Sequence, residues 1–158
     1  MLRISRMSDY SIVLLTTLAT QDDRPETARA LAARTGLGLA TVGKLLKALA
    51  QQGLLESIQG RHGGYRLARA AEQISLAQII EAVDGPIAVT DCDRTDADCD
   101  RQSSCNTRAH WQLINQAIRQ MLTRTTLADM CRAPEAVPVW HDNSSTPDDR
   151  TTRQDCAL

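Results

Sequence analysis

The stretch that most constrains the fold is "LATVGKLLKALAQQGLLESIQGRHGGYRLAR", residues 39–69. Val42, Leu45, Leu46 and Leu49 recur at helical spacing, which predicts an amphipathic helix over "LATVGKLLKALAQQ" ended by Gly53. "LLESIQ" then reads as a short strand, "GRHGG" as a glycine-rich turn and "YRLAR" as the return strand. Upstream, Thr27 is placed to cap a short helix over "ARALAART", and "TGLG" joins that helix tightly to the next. Two helices across a short glycine-containing turn, followed at once by a hairpin, make a helix-turn-helix with a wing.

The flanks extend this unit. Ser8 can cap a first helix running to about Thr20, with Tyr10, Val13, Leu14 and Leu18 at three- and four-residue spacing. Ser75 caps "LAQIIEAVDG", which Gly85–Pro86 stops. Residues 1–86 therefore read as a winged helix-turn-helix DNA-binding domain. Residues 87–105 form a cysteine-rich loop, and 106–133 hold a long helix opening at Asn106 with a short helix behind it. Thr126 is placed to cap that short helix, which ends near Cys131. Trp111, Ile114, Ile118, Met121 and Leu122 give the long helix an apolar face. Little of the chain remains to cover that face, so the economical partner is the same helix of a second subunit, a homodimer. Residues 134–158 are dominated by Pro, Asp, Ser and Thr and read as a flexible tail. The fold class is mainly α.

Composition narrows the function. The chain has no Phe, two Trp and two Tyr, so its core must be aliphatic. The same scarcity argues against single-strand nucleic-acid modules, which stack bases on aromatic platforms. Residues 1–85 carry ten Lys/Arg against eight Asp/Glu, while 86–158 carry eight against eleven. A mild basic excess means that DNA binding must come from the local placement of charge. The N-terminal apolar run is seven residues long, interrupted by Thr and preceded by Asp9, which fits a helix better than a secretory leader. No stretch approaches a membrane span, and the chain reads as cytoplasmic.

On the second helix, Thr41, Lys44 and Lys47 are the polar, solvent-side candidates for DNA contact, and Leu39 can meet a thymine methyl. On the wing the candidates are Arg61, His62 and Arg66, with Arg61 poised for phosphates or a minor groove. Gly60, Gly63 and Gly64 allow the wing to bend tightly and approach phosphates. Double-stranded DNA is the expected partner. A winged helix used only for protein contact is the competing reading, and the exposed basic wing disfavours it.

The loop "DCDRTDADCDRQSSC", residues 91–105, is too polar to fold by burial. A calcium loop fails because Arg101 stands at the required glycine and Thr107 at the required bidentate glutamate. Disulfides conflict with five cysteines, an odd number, in a reducing compartment. Structural zinc usually takes two short Cys-x2–4-Cys hooks, whereas an iron–sulfur cluster suits wider spacing. Spacing alone leaves zinc and a cluster both open. Cys131 reads as a buried small apolar residue and Cys156 as a tail thiol. With no catalytic base beside any cysteine and no substrate-pocket motif, an enzyme is disfavoured, and no small-molecule substrate is expected.

Taken together, "DYSIVLLTTLA", "GLGLATVGKLLKALAQQGLLESIQGRHGGYRLAR" and three cysteines ahead of a long helix resemble the bacterial iron–sulfur winged-helix regulators of the IscR and NsrR type. The resemblance covers roughly residues 1–132, and the portion after Asn106 looks most similar to regulators of SUF cluster assembly. It implies a homodimer on palindromic promoter DNA, with a [2Fe-2S] or [4Fe-4S] cluster held by Cys92, Cys99 and Cys105. Where IscR-type members carry a histidine after the last cysteine, this chain has Arg108, which cannot ligate iron. His110 is the nearest substitute, about 200° further round a helix. Asp9 matches the first-helix aspartate that some NsrR-type members take from the partner subunit. Both stand as candidates for the fourth ligand.

Overall fold

The computed structural model describes residues 3–21, 24–61, 63–90 and 105–132. The chain runs α1 (Arg6–Ala19), α2 (Ala28–Thr35), α3 (Leu39–Gln51), β1 (Leu55–Ile58), β2 (Gly64–Leu67), a single 3-10 turn (Ala71–Gln73), α4 (Leu76–Asp84), α5 (Arg108–Arg124) and α6 (Leu127–Cys131). This is a winged helix: three helices, a two-stranded antiparallel hairpin and a closing fourth helix.

Capping fixes the helix starts. Thr27 and Ser75 cap α2 and α4 as their sequence contexts predict, and the Ser75–Gln78 pair closes a reciprocal capping box. The start of α1 differs from expectation. Ser5, not Ser8, is the cap, its Oγ accepting from the Ser8 N–H at 3.0 Å. Ser8 lies inside the first turn and is fully buried. Its hydroxyl donates to Asp84 at 2.7 Å, and the Ser5 hydroxyl donates to the other Asp84 oxygen at 2.8 Å. The carboxylate at the end of α4 therefore fastens the start of α1.

The core is aliphatic, as the absence of Phe requires. Leu14 and Leu15 of α1, Leu31 of α2, Leu45, Leu46 and Leu49 of α3 and Ile79 of α4 meet with essentially no exposure. Side chains of this size gain about 1.5–3 kcal/mol each on full burial. Leu127, at the first position of α6, is as completely buried as they are. Two backbone bonds dock it there: Leu127 N–H to the Ile74 carbonyl at 2.8 Å, and Leu76 N–H to the Thr125 carbonyl at 2.9 Å. The last short helix, expected beside the long one, thus returns to complete the core of the DNA-binding unit.

The hairpin pairs Leu55 with Leu67 and Ile58 with Gly64. Glu26 adds a further rung, exchanging backbone bonds of 2.9 and 2.8 Å with Tyr65. That rung explains Gly64: a Cβ there would stand 2.5 Å from the Glu26 carbonyl. Gly63 is equally constrained, since its Cβ would fall 2.2 Å from the Ile58 carbonyl oxygen. Crowding within the sheet therefore requires both glycines even before any phosphate is considered.

Helix α5 is 17 residues long and has no buried residue. Ile118 and Leu122 are half-buried on the side turned to α4, while Leu113, Met121 and Ile114 are 66, 52 and 43% exposed. The expected single apolar face is in fact two: a narrow one on its own subunit and a bare one facing outward. No helix among the described residues is long and apolar enough to cross a membrane.

Candidate nucleic-acid interface and cysteine site

Helix α3 is held by its buried stripe of Val42, Leu45, Leu46 and Leu49. The opposite face follows from 3.6-residue periodicity and carries Ala40, Lys44, Lys47 and Gln51, with Gly43 half-buried on one flank. Lys44 and Lys47 are exposed there, Thr41 is half-buried on the flank, and Leu39 stands 48% exposed in the first turn. Gly38 caps the helix without a side-chain bond, so the positive end of the helix faces outward with its first N–H groups. Four of the DNA-contact candidates thus gather on one helix, spread over its outward half.

Gly43 borders that face and had escaped sequence reasoning. It sits in the interior of a helix, where glycine is unfavourable, and an added Cβ would meet nothing within 4 Å. A glycine that packing does not require, on the flank of the second helix beside its exposed lysines, was itself a readable signal.

On the wing, Arg61 is exposed directly after Gly60. His62 lies outside the described residues. Arg66 stands in β2 opposite Glu56, and its Nε and Nη2 both donate to Glu56 Oε2 at 3.0 Å. It belongs to the sheet ladder, apart from the wing turn.

The cysteine candidates divide. Cys92 and Cys99 lie outside the described residues, as does Cys156. Cys105 is half-buried and precedes α5, which begins at Arg108, two residues later than expected. Its Sγ lies 3.4 Å from Thr107 Oγ1. His110 is exposed in the first turn of α5, and Asp9 is exposed in the first turn of α1. Among the described residues no three His, Cys, Asp or Glu side chains converge on a metal position. Cys131, expected in the core, is exposed at the end of α6. There partial burial of the sulfur and then the Glu72 carboxylate push its thiol pKa up.

A hairpin wing beside an outward, lysine-bearing second helix defines a winged-helix DNA-binding transcriptional regulator. The chain belongs to the Rrf2 family, whose model, described as an iron-dependent transcriptional regulator, matches residues 4–133. It is 30% identical over 138 residues to the protein rrf2 of Nitratidesulfovibrio vulgaris, covering 87% of this chain and 92% of that one. It is 26% identical over 158 residues to the HTH-type transcriptional regulator IscR of an Enterobacter species, covering 99 and 96%. Among solved structures it resembles CymR, the global cysteine regulator of B. subtilis, with a TM-score of 0.66 and 28% identity over 83% of this chain and 97% of that one. These relatives are regulators of transcription, not enzymes.

Proposed function

We propose that the chain is a dimeric regulator whose hold on promoter DNA is controlled by an iron–sulfur cluster. Helix α3 enters the major groove through Leu39, Thr41, Gly43, Lys44 and Lys47, while Arg61 and His62 of the wing meet the neighbouring backbone or minor groove. The observation that carries the DNA reading is the outward stripe of α3, basic and unobstructed beside the wing.

Dimerisation rests on α5. His110, Ile114, Ala117, Met121 and Arg124 follow one another at four-three-four-three spacing along its outward side, the repeat of a helix-on-helix seam. A second copy of the same helix is the natural cover for a face left this apolar.

The cluster reading is supported by its donors. Cys92, Cys99 and Cys105 are soft sulfur donors suited to iron and sulfide, and Cys105 sits just ahead of α5 with its Sγ 3.4 Å from the Thr107 hydroxyl. The fourth ligand is either Asp9 of the partner subunit or His110. When bound, the cluster supplies a redox-active crosslink across the cysteine segment. On this reading the genes it governs are those of iron–sulfur cluster assembly. Anaerobic purification is expected to yield brown protein with iron and sulfide in near-equal amounts, and stoichiometric zinc in colourless protein would refute the cluster. Mobility shifts with promoter DNA are expected to separate holo from apo protein, and equal affinities would remove the switch.

A further inference from the structure

Asn115 lies on the side of α5 turned to its own DNA-binding unit, and both ends of its carboxamide bind one short piece of backbone. Its Oδ1 accepts from the Val89 N–H at 3.2 Å, and its Nδ2 donates to the Ile87 carbonyl at 3.3 Å. A side-chain amide that takes an N–H and a C=O two residues apart does what a neighbouring β-strand would do. The clasp joins positions 26 and 28 residues apart in sequence. The whole of the cysteine segment lies between them, and Cys92 follows Val89 by three residues.

Two further ties flank the clasp. One turn along α5, Arg119 reaches Glu81 of α4 at 2.8 Å. Just before the clasped piece, Asp84 holds the hydroxyls of Ser5 and Ser8 at the start of α1. The backbone from Asp84 to Val89 is therefore fastened to α1 at one end and to α5 at the other.

We propose that Asn115 is a positioning residue that locks segment 87–89 to α5, so that the long helix and the approach to Cys92 move as one body and pass their displacement through Asp84 to α1. Its consequence at Cys92 rests on the reading of the cysteine segment as the sensor.

The test uses full-length apo protein and follows the exchange protection of the Val89 amide. Asn115→Leu keeps the approximate shape and removes both bonds. It is expected to lower Val89 protection by about tenfold or more and to speed Cys92 alkylation relative to Cys105, while the amides of Leu46 and Ile79 hold theirs. Asn115→Asp adds a readout that packing alone would not move. Near neutral pH its carboxylate repels the Ile87 carbonyl, which opens the clasp and lowers Val89 protection. Below about pH 4 its carboxylic acid regains a donor, and Val89 protection, corrected for intrinsic exchange, is expected to recover.

Unchanged Val89 protection in Asn115→Leu overturns the proposal. So does a loss shared equally by Leu46 and Ile79, or a Cys92 rate that does not follow. If Asn115→Leu fails to fold, the acid recovery of Asn115→Asp decides alone, and its absence refutes the clasp. Iron and sulfide analysis is done separately on protein as purified anaerobically: a preparation lacking both refutes the cluster and leaves the clasp to be decided by the Val89 and Cys92 responses of the apo protein.

Discussion

Replacing Gly43 with alanine should make this protein more stable and a poorer DNA binder. The position is interior to α3, with no strained φ and no atom within 4 Å of a new Cβ, so the methyl has no clash to set against its benefit. Glycine costs a helix interior about 0.5–1 kcal/mol relative to alanine, through greater freedom in the unfolded chain. A gain of that size raises the melting temperature of a chain of this length by about 1–4 °C. Thermal unfolding at matched protein concentration measures it. On the proposed docking of α3, the same methyl would be added at the edge of its contact with the groove. Overfilling a close-packed contact costs about 1–3 kcal/mol, so affinity for a selected operator should fall by roughly 5- to 150-fold. The comparison variant Lys47→Ala should instead weaken binding to all duplexes alike and reduce the salt slope by about one. A melting temperature that fails to rise refutes the helix argument. A stabilised variant with unaltered affinity and selectivity refutes the assignment of this face to DNA.

Three further outcomes follow from other parts of the molecule. Met121→Glu places a charge on the outward seam of α5 without touching the core, and sedimentation should show monomers; an unchanged dimer mass would move the interface elsewhere. Asp84→Ala leaves the buried Ser8 hydroxyl without its acceptor and should cost about 1–3 kcal/mol in denaturant unfolding. A cost below a few tenths of a kcal/mol would show that the tie between α1 and α4 contributes little. The Thr126 N–H, then its hydroxyl, and to a smaller extent Arg132 hold the Asp129 carboxyl below the ordinary aspartate range. Because its folded pKa is depressed, its contribution is present above the unfolded value and is lost as pH falls through the folded one. NMR titration should place its midpoint low, Asp129→Asn should flatten the acid limb of stability, and an ordinary midpoint would contradict this.

Much of the DNA-binding unit was legible in the chain because its signals are local. The Val42–Leu49 stripe, the cap at Thr27, the box at Ser75 and the glycine turn of the wing each act within a few residues. What escaped were long-range effects. Ser8 has the chemistry of a cap, and only Asp84, 76 residues away in sequence, draws its hydroxyl inward. Leu127 and Met121 look alike as apolar helix residues, yet one fills the core and the other faces outward, because the return of the chain past Ile74 decides between them. Gly63 and Gly64 were read towards phosphate, and the nearest constraint proved to be the backbone around them. Of the site, the outward lysines could be read from periodicity, whereas Asn115 carried no motif. An asparagine in mid-helix announces nothing until the strand-like backbone it holds is placed beside it.

The burial of Leu127 has a mechanical corollary. A helix attached at one end can swing like an arm, but α5 is anchored twice: through Asn115 and Arg119 near its middle, and through the Thr125–Leu127 junction at its end. Swinging is thereby blocked, and the motions left to it are a roll about its own axis or rotation together with the whole unit. If the cysteine segment is the sensor, a push delivered near Cys105 would load α4 and, through Asp84, α1. Two subunits joined through such helices would register it as a change in angle between their α3 helices, with little change in the distance between them.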